Sequence, residues 1–263
     1  MAVGVSRALA TAARRAALAL GWLLLLSIGL AGCARDAEPS DLAIWRIVDQ
    51  GCNGGQHAPA PAVPEPAPHP TRGLQCETAQ GIAVLKDRCG PTHFLVIPTA
   101  RRSGVESPEL LSAEEPNYFA LAWEQRAAST AALSSAAPDK ADIGLAINSR
   151  YGRSQAQLHI HIDLLRPQVR SALLALAQPL AADTRLELMG HWYRVDHLDS
   201  LAQSPFAQAA REWGAQTAEE RARLTLAVVG DGGHGFFLLS DRADLTARDR
   251  GHAEELLVPH PCG

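Results

Sequence analysis

The sequence predicts an α+β domain, an antiparallel sheet with helices packed on it, and two observations carry that prediction. Short apolar runs of strand length recur in pairs across turn signals, and amphipathic stretches of helix length separate the pairs. Taken in order, Ser40-Asp41 precedes Leu42, Ile44, Trp45 and Val48, whose spacing gives one apolar helical face ending at Gly51. Residues 57–72 hold six prolines, a density that forbids helix and sheet and leaves an extended loop. Ile82–Lys86 and Phe94–Pro98 read as strands joined by a turn over 87–92. Asn117–Ala132 reads as helix, Ile143–Asn148 as strand, Ser149–Ser154 as turn and Gln157–Leu165 as the next strand. Pro167 opens a helix to about Ala177. Strands are expected at Arg185–Met189 and Trp192–Val195, and helix at Pro205–Trp213. A last hairpin joins Leu224–Val229 to Gly235–Ser240 around Asp231-Gly232-Gly233. No internal repeat is evident.

The N-terminus carries a different signal. Arg7, Arg14 and Arg15 precede an apolar stretch, Ala16 to Leu30, that closes on Leu30-Ala31-Gly32-Cys33. Positive flank, apolar core and small residues describe an export signal. A cysteine directly after Leu-Ala-Gly is the bacterial lipoprotein pattern, with Cys33 as the site of lipid attachment. The alternative is an uncleaved span, since Ala16–Ala34 is 19 residues long, close to the ~20 a helix needs to cross a bilayer. Either way the arginines stay inside and the rest of the chain faces away from the cytoplasm. The expected location is the inner membrane, with the folded domain on its periplasmic side.

Removing residues 1–32 takes away three positive charges and moves the net charge from −4 to −7. An acidic, aromatic-poor domain is a poor binder of nucleic acid, and none is expected as a partner. Nor does the domain gain from anionic lipid surfaces, so the N-terminal anchor must supply membrane residence. No protein partner can be inferred. Four cysteines remain after Cys33: Cys52, Cys76, Cys89 and Cys262. An even number in an oxidising compartment suggests two disulfides. Three pairings exist; Cys52–Cys76, closing the Pro-rich loop, and Cys89–Cys262, tying down the C-terminus, are favoured.

The segment richest in chemistry is Leu145 to Pro167. On a strand, side chains alternate faces, so Gln157, His159, His161 and Asp163 share one face while Leu158, Ile160, Ile162 and Leu164 bury the other. Histidines at i and i+2 sit ~6.5 Å apart along the backbone, close enough to grip one phosphate from two sides. Asn148, Arg150, Gly152, Arg153 and Ser154 supply further donors from the turn. Such a face holds a phosphorus in line with an imidazole nitrogen. Two other readings stand beside it. His-x-His is a respectable metal pair that needs a third ligand, with Asp163, His93, His191 and His234 as candidates. Two histidines on a solvated strand face can also have no function at all.

The stretch Asn148, Gly152, Ser154, Gln157-Leu158-His159-Ile160-His161 closely resembles the histidine triad (HIT) superfamily, whose motif is His-φ-His-φ-His with φ apolar. Pro91-Thr92-His93-Phe94-Leu95-Val96-Ile97-Pro98 resembles the strand that precedes the first helix of that superfamily. Within it, the chain is similar to the bacterial CDP-diacylglycerol pyrophosphatases. The resemblance rests on the anchor, Glu106-Ser107-Pro108, Pro116-Asn117-Tyr118-Phe119, Leu145 to Arg150, Arg166-Pro167 and Ser204-Pro205-Phe206, and spans Trp45 to the C-terminus. It implies a HIT-like fold and hydrolysis of CDP-diacylglycerol to CMP and phosphatidate, with no metal or other cofactor.

Residue by residue, it makes His159 the nucleophile and gives His161, Asn148 and Ser154 the phosphate oxygens. His93 matches a motif position and braces the strand or binds substrate. Gln157 replaces the first histidine of the triad; it can bind but cannot exchange a proton near neutral pH. A Gln157→His change is expected to be tolerated. The implied organisation is an anchor over 1–33, an N-terminal helix and Pro-rich loop over 34–80, and a catalytic domain with a C-terminal extension over 81–263. Two alternatives are a HIT-type hydrolase of a soluble nucleotide derivative and a non-catalytic lipoprotein that binds nucleotide or holds zinc on His159 and His161.

Overall fold

The structure, a computed structural model, describes residues 41–56, 73–131, 133 and 138–260. The anchor with Cys33, the Pro-rich loop and Cys262 lie outside the described residues. Among those described, no helix is long and apolar enough to cross a membrane.

The predicted α+β class holds. Among the described residues, nine strands form one antiparallel sheet: β1 Leu74–Glu77, β2 Ile82–Lys86, β3 Phe94–Pro98, β4 Ile143–Ile147, β5 Ile160–Leu164, β6 Arg185–Leu188, β7 His191–Leu198, β8 Leu224–Gly230 and β9 Phe236–Arg242. Their order across the sheet is β1-β2-β3-β5-β4-β8-β9-β7-β6. β5 therefore lies between β3 and β4, away from either edge. Among the described residues, six helices accompany the sheet: α1 Ala43–Cys52, α2 Tyr118–Glu124, α3 Arg126–Thr130, α4 Pro167–Leu174, α5 Pro205–Glu212 and α6 Ala218–Ala222.

Several boundaries differ from the sequence reading, each for a local reason. The helix expected over Asn117–Ala132 is two helices. Asn117 caps the first, its side-chain oxygen accepting from the Ala120 amide, and the chain tightens at Gln125, whose amide donates to both Leu121 and Ala122. Asp41 does not cap α1. The Ile44 amide donates instead to the side chain of Gln155, at 3.0 Å. The strand expected from Gln157 begins at Ile160, because Gln157 lies in a bend. β1 went unrecognised, as did α6, although Thr217 and Glu220 form a capping box at its start.

The sheet has two unlike faces. On one, Val84, Val96, Ile160, Ile162, Leu145, Leu226 and Leu238 pack against Phe119 and Trp123 of α2 and Phe206 of α5 in one large core. The other face carries two separate cores. Ala83, Leu95 and Ile97 are covered by Trp45 and Val48 of α1. Ala146, Ala227, Val229 and Leu239 are covered by Val169 and Leu173 of α4 and by a short 3-10 turn, Ala253–Leu256. β5 runs between these two. Its His161 stands opposite Leu95 of the first and Ala146 of the second. Cys52 and Cys76 form the expected disulfide, which ties α1 to β1. Cys89 is also disulfide-bonded.

Candidate active site

From Leu158 onward the predicted alternation holds. Leu158, Ile160 and Ile162 enter the large core, while His159, His161 and Asp163 emerge on the opposite face between the two smaller cores. All three polar side chains are buried there. Burial of that kind requires partners, and each partner constrains the chemistry.

His159 is oriented by its own chain. Nδ1 lies 2.6 Å from the carbonyl oxygen of Gln157. A carbonyl only accepts, so Nδ1 carries the proton and Nε2 keeps its lone pair. Burial, together with the positive charge of Arg153, pulls the His159 pKa below the usual value, while the Gln157 carbonyl and Glu254 act against that. The ring is therefore neutral at neutral pH, with an unprotonated nitrogen.

His161 is held from the neighbouring strand. His93 Nε2 lies 2.9 Å from His161 Nδ1, and the two rings stack 5.1 Å apart. Burial, then the nearby His159 and His93, push the His161 pKa well down. Its Nε2 is buried, makes no hydrogen bond, and faces Oε2 of Glu254 at 3.5 Å. A bare nitrogen facing a carboxylate would be repelled, so Nε2 carries the proton and is a donor awaiting an acceptor. The ring centroids of His159 and His161 are 5.0 Å apart.

Asp163 is already committed. It accepts from Thr92 Oγ1 at 2.6 Å, pairs with His260 Nε2 at 2.6 Å, and accepts the Leu164 amide at 2.8 Å. Asn148 is tied to the C-terminal segment, donating to Oε2 of Glu254 at 3.0 Å and accepting the Glu254 amide at 3.1 Å. Gln157, fully buried, uses its amide on the loop after β3. It accepts from Arg101 Nη1 at 2.8 Å and the Arg102 amide at 3.3 Å, and donates to the carbonyls of Pro98 and Ala100 at 3.1 and 3.0 Å. Ser154 stands apart, exposed on the wall of a cavity of about 390 Å³ that Arg150 and Arg153 also line. Arg153 is locked to Glu106 by two hydrogen bonds of 2.7 and 2.6 Å.

Thus the structure brings together His159, His161, His93, Asp163 and Asn148, and turns Gln157 toward the protein. It adds Glu254 and His260, which the sequence reading did not single out. A signal existed for His260, two residues before Cys262, the cysteine expected beside Cys89. Glu254 carried none. Ligand atoms of His93, His161 and Glu254 lie within 4.8 Å of one another, a metal-sized grouping that does not include His159. His191 is paired with Asp249 at 2.9 Å, in a second such grouping with Asp241. A cavity of about 440 Å³, lined by His93, Asp163, Arg166, Glu254 and His260 among others, opens beside the histidines.

The model of one protein family, CDP-diacylglycerol pyrophosphatase, matches residues 39–263. The CDP-diacylglycerol pyrophosphatase of Yersinia pestis is 40% identical over 260 residues, which are 95% of this chain and 94% of that protein. With a match over the whole described domain and a relative of that similarity end to end, the chain belongs to the CDP-diacylglycerol pyrophosphatase family, a family of hydrolases.

Proposed function

We propose that the protein hydrolyses CDP-diacylglycerol to CMP and phosphatidate through a nucleotide held covalently on His159. The observation that carries this reading is the hydrogen bond from His159 Nδ1 to the Gln157 carbonyl, which leaves Nε2 free to attack. Nε2 attacks the cytidylyl phosphorus, the bond to the phosphatidate oxygen breaks, and phosphatidate leaves. A phosphate monoester is a good leaving group, so no acid is required at the position of Gln157. His161 Nε2–H and the Asn148 amide are the donors for the phosphate oxygens as charge builds on them. His93 fixes the His161 tautomer. Water then displaces the nucleotide from His159.

The same reading makes the fold HIT-like. Its support is the pairing of β3 with β5, which sets His93 from the upstream motif against His161 of the triad motif. It also places the protein at the inner membrane, held by lipid on Cys33 and facing outward. A disulfide at Cys52–Cys76 fits an oxidising compartment. Cys33→Ala should then leave an unprocessed precursor without fatty-acid label; normal processing in that variant would overturn the lipoprotein reading.

The mechanism is tested by rapid quench with substrate labelled in cytidine. Wild-type protein should carry acid-labile, base-stable label. His159→Ala should carry none and release CMP at the background rate while remaining folded, since the buried side of β5 is unchanged. Full activity in that variant would defeat the covalent mechanism.

A further inference from the structure

We propose that Glu254 is the base that takes the proton from the water attacking the nucleotidyl-His159 intermediate, an inference that rests on the covalent mechanism above. The chemistry needs such a group. After the first step Nε2 of His159 is bonded to phosphorus while Nδ1 still carries its proton to the Gln157 carbonyl. Water adds to phosphorus, the P–N bond breaks, and His159 leaves as the neutral imidazole it was before. One proton remains over, from the water, and the acceptor must be near phosphorus. Gln157 cannot be that acceptor: its amide has no basicity and is fully engaged with the loop after β3. Neither histidine offers a free nitrogen, since His161 uses Nδ1 on His93.

Four carboxylates of the described residues line the cavity beside the histidines, Asp87, Asp163, Glu254 and Glu255, and three are turned to other groups. Asp163 holds Thr92, His260 and the Leu164 amide. Asp87 accepts the Cys89 amide and lies 4.0 Å from Nδ1 of His93, and Glu255 lies 3.9 Å from Nε2 of His191. Glu254 is different. Its charge acts on His159, raising that pKa, and Oε2 lies 3.5 Å from His161 Nε2. Asn148 holds it there through its side chain and its amide. It also lines the open cavity, with a side chain 42% exposed, so water reaches it. The Asn148 amide that donates to Oε2 and the unbonded His161 Nε2–H 3.5 Å from it are the donors assigned to phosphate. A carboxylate at that point therefore borders directly on the phosphorus.

Glu254→Gln tests this. It keeps the size of the side chain and the backbone bond to Asn148, on a turn anchored by buried Ala253 and Leu256. With substrate labelled in both halves, the variant should release one equivalent of phosphatidate per enzyme in a burst at near the wild-type rate. CMP release should then slow by about 10²–10⁴-fold, the usual contribution of a positioned base, and cytidine label should accumulate on the protein. Formate should restore CMP release in Glu254→Ala. Equal slowing of both products, or no slowing, would overturn the role, leaving Glu254 as a brace for Asn148. Absence of label from both wild type and variant would instead defeat the covalent reading, and the base with it.

Discussion

Gln157 stands where the triad pattern has its first histidine, and its side chain does what an imidazole cannot. Its amide makes four hydrogen bonds to one loop, two accepted and two donated, in a fully buried position. A neutral imidazole offers one donor and one acceptor. Restoring the histidine would therefore leave buried groups of the 98–102 loop unpaired, at about 1–3 kcal/mol for each. The damage would also reach His159, because the carbonyl of this same residue orients its ring. Gln157→His should lower the urea midpoint and reduce turnover, reversing the tolerance that the pattern alone suggests. An unchanged midpoint with a faster rate would show that the amide network is dispensable. The amide at this position is thus coupled to the loop after β3.

At the scale of elements, what the sequence made legible depended on how local the cause was. The β8–β9 hairpin could be read because Asp231-Gly232-Gly233 encodes its turn. β5 could be read because apolar and polar residues alternate from Leu158 to Asp163. α4 and α5 each open on a proline. β1 could not, since four residues, Leu74–Glu77, form a strand only by lying against β2 at the sheet edge. The site divides the same way. His159, His161 and His93 were legible because a motif on adjacent strands carries them. Asn148 was legible as well, but its partner was not: Glu254 arrives from 106 residues away, on a turn whose position is set by packing on β4 and β8. Gly152 belongs to that junction, since a Cβ there would meet the Gly251 carbonyl oxygen at 2.6 Å. The turn before β5 and the C-terminal segment are thus in backbone contact, a closeness that no spacing rule announces.

For the whole molecule, burying two imidazoles in one cleft ties folding to pH. An unfolded histidine titrates near 6.5. In the folded chain His159 and His161 both lie below that, burial being the largest cause for each. Between the folded and unfolded values the unfolded chain binds more protons, so stability rises with pH across that window. The contribution is fully present above about pH 6.5 and is lost as pH falls toward the folded values. Each histidine can add at most about 1.4 kcal/mol per pH unit. Asp241 works the other way: burial raises its pKa, so the folded state gains protons there as pH falls. Its usual value lies near 4, and its effect is concentrated at more acid pH. Glu106 and Glu115 have lowered pKa values, and the stability they carry is lost only in that same acid range. Urea unfolding at pH 7.5, 6.5 and 5.5 should therefore show a falling free energy, and His161→Asn should flatten the slope by removing one of the two groups. A wild-type stability independent of pH over that interval, or a slope the variant leaves unchanged, would mean that these imidazoles are protonated or solvated in the folded protein. Of these two, only protonation would deprive His159 of the lone pair on which the proposed attack depends.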